Sequence, residues 1–363
     1  MKLTLADEIC KQQFQPETLT VTGEKVLLFT PVCDEGPIVP AFSMFPLQVG
    51  LLLNSFTMKF YFCRGQQRSS SSMMVYLKNL AAADFLFCLC LPLRIAKYSN
   101  CSITIHQIFC SFGASAFYLN MYASILFMGY IAANRYLKIV HPSQTHILQT
   151  KRSAHIISTV TWVCLLALMI TFITLLLLTQ EPLTSVPDKC DVLYSPMTIL
   201  LFKIIHICST TVFLFVLISL VFFYYNSSRK VLLAQQRQPT SSDSKKLVKS
   251  RRNMLVLVSV FCVCFVPYHL VRLPYTFLWR RWSVNQVFRY LQEVTITVSV
   301  LNICLDPLIY FFLCTAFRNQ LNPRKVFNTV RVNMQTPNSE TRSSTENLST
   351  IGINSANNSQ QHK

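Results

Sequence analysis

The chain has 363 residues, 52% hydrophobic and only 13% charged, with a formal net charge of +18 and a mean hydropathy of +0.38. A soluble domain carries about a quarter charged residues, so this balance excludes an ordinary globular protein and points to an integral membrane protein. Seven glycines leave little for a glycine-rich phosphate loop or a repeat array, and most of the 14 cysteines lie in apolar runs, where cysteine behaves as a small hydrophobe.

Residues 1–38 are expected to form an extracellular tail. Asp7 and Glu8 stand where a signal peptide needs unbroken apolar chain, so the first spanning helix is expected to direct insertion. A spanning helix needs about 20 mostly apolar residues. Such runs are predicted over 39–62, 73–98, 107–140, 154–179, 196–225, 253–278 and 286–313. The expected domain, 39–313, is therefore an all-α membrane protein built as a seven-transmembrane helix bundle.

Several spans carry internal polar residues. Asn54 lies mid-run in the first, Asn79 and Asp84 in the second, and Trp162 in the fourth. The third closes on Asn134-Arg135-Tyr136. Between the fifth and sixth, 226–252 is too charged to insert. The seventh places Asp306 directly before Pro307. A charge at membrane depth is costly and marks function, while a proline frees a carbonyl and lets the helix bend.

Orientation follows from the Lys/Arg bias of short loops. Arg64, Arg68, Lys151, Arg152, Arg229, Lys230, Lys245, Lys246, Lys249, Arg251, Arg252, Arg324 and Lys325 share one side. The tail instead carries Asp7, Glu8, Glu17, Glu24, Asp34 and Glu35, which puts the N-terminus outside and the C-terminus in the cytoplasm. Topology thus explains most of the positive charge, and no nucleic-acid partner is expected. Asn100-Cys101-Ser102 is a glycosylation sequon on an outer loop. Residues 326–363, rich in Ser, Thr and Asn, are expected to form a disordered tail open to kinases.

One motif per helix, in order, resembles the rhodopsin-like (class A) G-protein-coupled receptors over about residues 40–325. The motifs are Asn54, Asn79-Leu-Ala-Ala-Ala-Asp84, Cys110, Asn134-Arg135-Tyr136, Trp162, Phe261 to Tyr268, and Asp306-Pro307-Leu-Ile-Tyr310. The resemblance implies a multi-pass plasma-membrane receptor, not an enzyme, with a short amphipathic eighth helix over 314–325. It implies a Cys110–Cys190 disulfide over the bundle mouth. It also implies a pocket of Asp84, Ser124, Asn302 and Asp306 that takes Na+ as an allosteric ion, where two nearby acids can instead share a proton. Phe265, Pro267, Pro307 and Tyr310 would form the switch. Asn134, Arg135 and Tyr136 would meet a heterotrimeric G protein of the Gi/o class, and arrestin and receptor kinases would meet the tail. The chain departs from the pattern at Asn134, usually an acid, at Phe265, usually tryptophan, and in a fifth span without its usual proline.

Cys264 to Thr276, Tyr76-Leu-Lys78-Asn79 and Phe117 to Tyr122 are similar to the P2Y12-like purinergic cluster. That resemblance implies an extracellular ligand of the nucleotide or nucleotide-sugar type, with phosphate at Arg272. The ligand set would be Arg272, His269, Tyr118, Tyr122, Tyr275, Glu293 and Gln292. A guanidinium in a partly dry mouth suits bidentate phosphate recognition. Arg94, Lys97, Lys189, Lys203, Arg280, Arg281 and Arg289 would add positive steering charge. Gln292 stands where nucleotide-binding relatives have lysine, and Lys203 to Cys208 do not match their fifth-helix contacts. That region resembles the platelet-activating-factor receptor, so a lysophospholipid-like ligand stays open, as does a scavenger that does not signal. A transporter would show internal repeats, and a membrane enzyme a metal or nucleophile motif; the sequence has neither.

Overall fold

The apolar runs become helices that continue through Pro46, Pro92, Pro267, Pro274 and Pro307, and charged flanks prolong several of them beyond membrane depth. The computed structural model describes residues 17–21, 24–28, 38–61, 71–99, 102–142, 146–179, 190–237, 242–278 and 282–313. Helices α1 (Ile38–Lys59) and α2 (Ser72–Ser99) are followed by α3 (Ile103–Val140), which contains one π-helical turn at Phe109–Gly113. Then come α4 (Lys151–Thr179), α5 (Pro196–Arg237), α6 (Ser242–Leu278), α7 (Trp282–Val300) and α8 (Asn302–Leu313). Helices α7 and α8 are the two halves of the seventh span. Asn100, Cys10, Cys33, Cys101, Lys189, Arg280, Arg281, the expected eighth helix over 314–325 and the tail lie outside the described residues, as do the side chains of Tyr275 and Arg289.

Among the described residues, α2, α3, α4, α5, most of α6 and the stretch Leu291–Leu313 are long and apolar enough to cross a membrane. Helix α1, with 22 residues, completes seven by length. The expectation of an all-helical chain holds for the bundle. The exception is an antiparallel hairpin, β1 (Glu17–Val21) with β2 (Glu24–Leu28), pairing Glu17 with Leu28 and Val21 with Glu24. Its Thr and Val content favours strand.

The polar stretch 226–252 is mostly helix. α5 runs to Arg237 without the local bulge a proline would bring, and α6 already begins at Ser242. Lys, Arg, Gln, Leu and Ala there are good helix formers.

The core is apolar as in a soluble protein, but the outer surface is apolar too. Large apolar side chains on α4 and α5 face outward, Leu178 at 80% and Phe215 at 72% exposure, as lipid contact demands. Helix α3 is the central post, with Ile125, Phe127, Met128 and Ile131 fully buried. Several half-buried or buried polar groups pair between helices, for example Trp162 Nε1 donating to Asn79 Oδ1 at 2.9 Å.

The seventh span breaks at Leu301, whose N–H is shared between Thr297 O and Val298 O at 3.3 and 3.2 Å. Pro307, more than one turn further on, has no N–H for the Ile303 carbonyl. Asn54 Nδ2 donates to that carbonyl at 2.8 Å and to Gly50 O at 3.0 Å. Gly50 permits the approach, because a Cβ there would stand 2.7 Å from Ile303 Cδ1.

Candidate functional site

Three polar clusters lie along the bundle. The middle one centres on two carboxylates, Asp84 of α2 and Asp306 of α8, both fully buried. Asp84 Oδ1 accepts from Asn120 Nδ2 at 3.3 Å, and Oδ2 accepts from the Tyr310 hydroxyl at 3.0 Å. Asn302 Nδ2 donates to Ser124 Oγ at 3.2 Å. Asp306 lies against the Asp84 carboxyl, and neither of its oxygens accepts a hydrogen bond from an amide or hydroxyl donor among the described residues. Leaving a buried carboxylate uncompensated costs several kcal/mol, on the order of the desolvation of one ion. The structure brings Asp84 to Asp306 and Asn302 to Ser124, and Asn120 joins Asp84. It lies one turn before Ser124 on the same face of α3, a spacing visible in the sequence.

The second cluster lies at the disulfide end of the bundle. Cys110, in the π-turn of α3, is bridged to Cys190 with Cα atoms 5.3 Å apart. Phe109, Leu176 and Leu193 pack around this bridge. Beneath it, buried Arg272 of α6 places Nη2 at 3.2 Å from His206 Nε2 and lays its guanidinium over the Phe202 ring at 5.1 Å. Arginine only donates, so His206 accepts at Nε2 and donates from Nδ1 to Phe202 O at 2.8 Å. His269 repeats the arrangement. Its Nδ1 donates to Phe265 O at 2.8 Å and its Nε2 faces the Tyr122 hydroxyl at 3.4 Å. Phe213 stacks on His269 with centroids 3.7 Å apart, and Tyr118 meets His206 edge-on at 5.2 Å.

Arg272, His269, Tyr118 and Tyr122 thus form one cluster, drawn from α3 and α6. His206, within the unmatched stretch Lys203 to Cys208, and Phe202, which carries no motif, also belong to this cluster. The signal was their register, because Phe202, His206, Ser209 and Phe213 recur at helical spacing on one face of α5. Glu293 of α7 is engaged by Arg94 of α2, with Nη2 and Oε2 3.0 Å apart. The pair cancels the steering charge assigned to Arg94. Gln292 is half-buried, and its backbone carbonyl accepts from Thr295 Oγ1 at 3.0 Å. Lys203 is exposed, while Lys97 Nζ sits 5.2 Å over the Phe109 ring.

The third cluster lies at the opposite end. Arg135 Nη2 donates to Leu313 O at 3.1 Å, tying α3 to α8. Asn253 of α6 donates to the adjacent Phe312 O at 2.9 Å. Asn134, in the usual position of an acid, donates from Nδ2 to Ser72 Oγ at 2.7 Å and to Leu148 O at 3.0 Å. Tyr136 stacks on Phe223 of α5 at 4.8 Å. Phe265 and Pro267 of α6 lie in the chain between His269 and Asn253. Phe265 is fully buried against Phe261, 5.4 Å between centroids, and Ser299 Oγ donates to Cys264 O at 2.8 Å beside Pro267.

The sequence matches the profile of the 7 transmembrane receptor (rhodopsin family) over residues 54–310. It is 34% identical over 289 residues to purinoceptor 14 of Bos taurus, spanning 78% of this chain and 84% of that protein. Against purinoceptor 13 of Homo sapiens the identity is 30% over 291 residues, 78% and 80% of the two chains. Against the platelet-activating factor receptor of Rattus norvegicus it is 27% over 289 residues, 76% and 82% of the two chains. A seven-helix bundle with a carboxylate pair at its centre, a bridged mouth and an arginine at its far end thus carries the matching sequence, and the chain belongs to the rhodopsin family of seven-transmembrane receptors.

Proposed function

We propose that this receptor sits in the plasma membrane with its N-terminus outside, binds an extracellular anion carrying phosphate at Arg272, and signals through a Gi/o-class G protein. The observation that carries the ligand reading is the setting of Arg272, a buried guanidinium held between the Phe202 ring and the Nε2 acceptor of His206. A neutral imidazole nitrogen is a weaker acceptor than a phosphate oxygen, because charge-assisted hydrogen bonds are about twice as strong as neutral ones. A phosphate entering the mouth displaces His206 from Arg272 and takes the fork bidentately. His269, Tyr118 and Tyr122 line the same cluster. Two relatives are named purinoceptors and one a platelet-activating factor receptor, and both names are compatible with an anion at this position.

Release of His206 loosens α5 from α6, and α6 carries Phe265 and Pro267 toward the Asp84–Tyr310 pair. The Arg135 tether to Leu313 is the contact a G protein would replace, with Asn134 and Tyr136 beside it. Arrestin and receptor kinases would act on the 326–363 tail. Na+ is proposed as an allosteric ion at Asp84, Ser124, Asn302 and Asp306. The donor-free oxygens of Asp306 and an all-oxygen ligand set fit a hard cation. A bound ion supplies neutralisation of buried carboxylate charge. Asn120 and Tyr310 keep Asp84 oriented, and Asn302 holds Ser124.

The test is G-protein activation in membranes from expressing cells, screened with nucleotides, nucleotide sugars and lysophospholipids on wild type and Arg272→Ala. Loss of a buried charged contact worth about 2 kcal/mol lowers agonist potency about 30-fold. Equal potency on the variant overturns the phosphate anchor. Binding without any G-protein activation would instead identify a scavenger, and cAMP inhibition that survives pertussis toxin would exclude Gi/o.

A further inference from the structure

We infer that the ligand is a single-chain phospholipid whose acyl chain enters from the bilayer into a cavity between α3, α4 and α5. This rests on the phosphate reading above and specifies the class of molecule that carries the phosphate.

The cavity measures about 80 Å³. On the scale where one water needs about 10–15 Å³, that is room for several methylene-sized groups. Its wall is mainly apolar and aromatic, with Leu119 from α3, Leu165, Leu168 and Met169 from α4, and Ile205 from α5. Cavities of that lining stay dry and accept hydrocarbon. Most polar atoms on the wall are already engaged. Ser115 Oγ donates to Ser111 O at 2.8 Å, His206 is committed at both nitrogens, and the Tyr122 hydroxyl faces His269. A nucleobase and sugar placed here would lose hydrogen bonds to water without replacement, a cost an alkyl chain does not incur.

The cavity also reaches lipid. Leu168 on its rim is 49% exposed, on a helix whose neighbouring apolar residues Val163 and Ile170 face outward. A chain can therefore enter sideways from the membrane. At the other end Phe202 and His206 belong to the cavity wall and are also the residues that hold Arg272, at 5.1 and 3.2 Å. An amphiphile with its chain in the cavity has its anionic head at the guanidinium. Each buried methylene strengthens binding about fourfold until the cavity is full.

The experiment uses the full receptor, purified in nanodiscs, with an alkyl phosphate bearing a diazirine within the first few carbons of its chain and peptide mapping by mass spectrometry. Saturable labelling of the α3 stretch Ser115–Tyr122 is expected. Leu168→Trp, which fills the rim, should reduce that labelling at least tenfold, and Leu178→Trp, the same change at a lipid-facing residue outside the cavity wall, should retain it. Labelling confined to lipid-facing residues such as Val163 and Leu178 overturns the cavity assignment, as does unchanged labelling in Leu168→Trp. A nucleotide that displaces the probe and by itself activates the receptor contradicts a lipid as ligand. Saturable α3 labelling that does not weaken in Arg272→Ala refutes the phosphate anchor while leaving the chain site intact, so the two failures are distinguishable.

Discussion

Asn54 on α1 donates to the carbonyl of Ile303 on α8 at 2.8 Å, the carbonyl that Pro307 deprives of its helical donor. The side chain of one helix thereby completes the backbone of another at the kink of the seventh span. Asn54→Leu leaves that carbonyl buried without its donor, at a cost of about 1–3 kcal/mol. The melting temperature of the solubilised receptor is expected to fall by several degrees. An unchanged melt would show that the kink needs no external donor.

Asp306→Asn removes a buried charge and supplies an amide donor beside Asp84. The wild-type receptor is expected to melt higher in NaCl than in choline chloride, and the Asp306→Asn variant to melt equally in both. A salt-specific shift that persists in the variant would place any ion elsewhere. Tyr310→Phe removes the 3.0 Å donor from Asp84 and should lower stability by about 1–3 kcal/mol.

The Arg94–Glu293 pair ties α2 to α7, with Arg94 mostly buried and Glu293 30% exposed. Partial solvent screening limits its coupling to about 1 kcal/mol. A double-mutant cycle with Arg94→Gln and Glu293→Gln, read by thermal melts, is expected to recover that coupling. Strictly additive single effects would mean that the pair holds nothing together.

Asn134 holds Ser72 and Leu148 O through one amide group. Asn134→Asp keeps a partner for the Ser72 hydroxyl, deprives Leu148 O of its donor and places an acid beside Arg135. Ligand-independent nucleotide exchange on the G protein is expected to fall, because Arg135 gains an ionic restraint on top of its Leu313 tether. Identical basal exchange in the two proteins would show that Arg135 is not restrained through this position.

The seven spans were legible because hydropathy reports membrane depth directly, and Asp84 and Asp306 stood out because a charge there is costly. The Cys110–Cys190 bridge followed from family resemblance and is present. Other features had no such signal. Hydropathy marks where a helix leaves the membrane and not where it ends, so the continuation of α5 to Arg237 was invisible to it. The π-turn at Phe109–Gly113 is a shift in backbone pairing with no residue signature of its own. His206 was discounted by comparison with relatives, whereas its role comes from a neighbour on α6, Arg272, 66 positions away. The Arg94–Glu293 pairing likewise arises between helices distant in sequence.

The most direct test of the account is the dose–response of G-protein activation by a phosphate-bearing agonist on wild type and Arg272→Ala, with surface expression matched. The account predicts a loss of potency of about 30-fold or more in the variant. A dose–response that superimposes on wild type would contradict it.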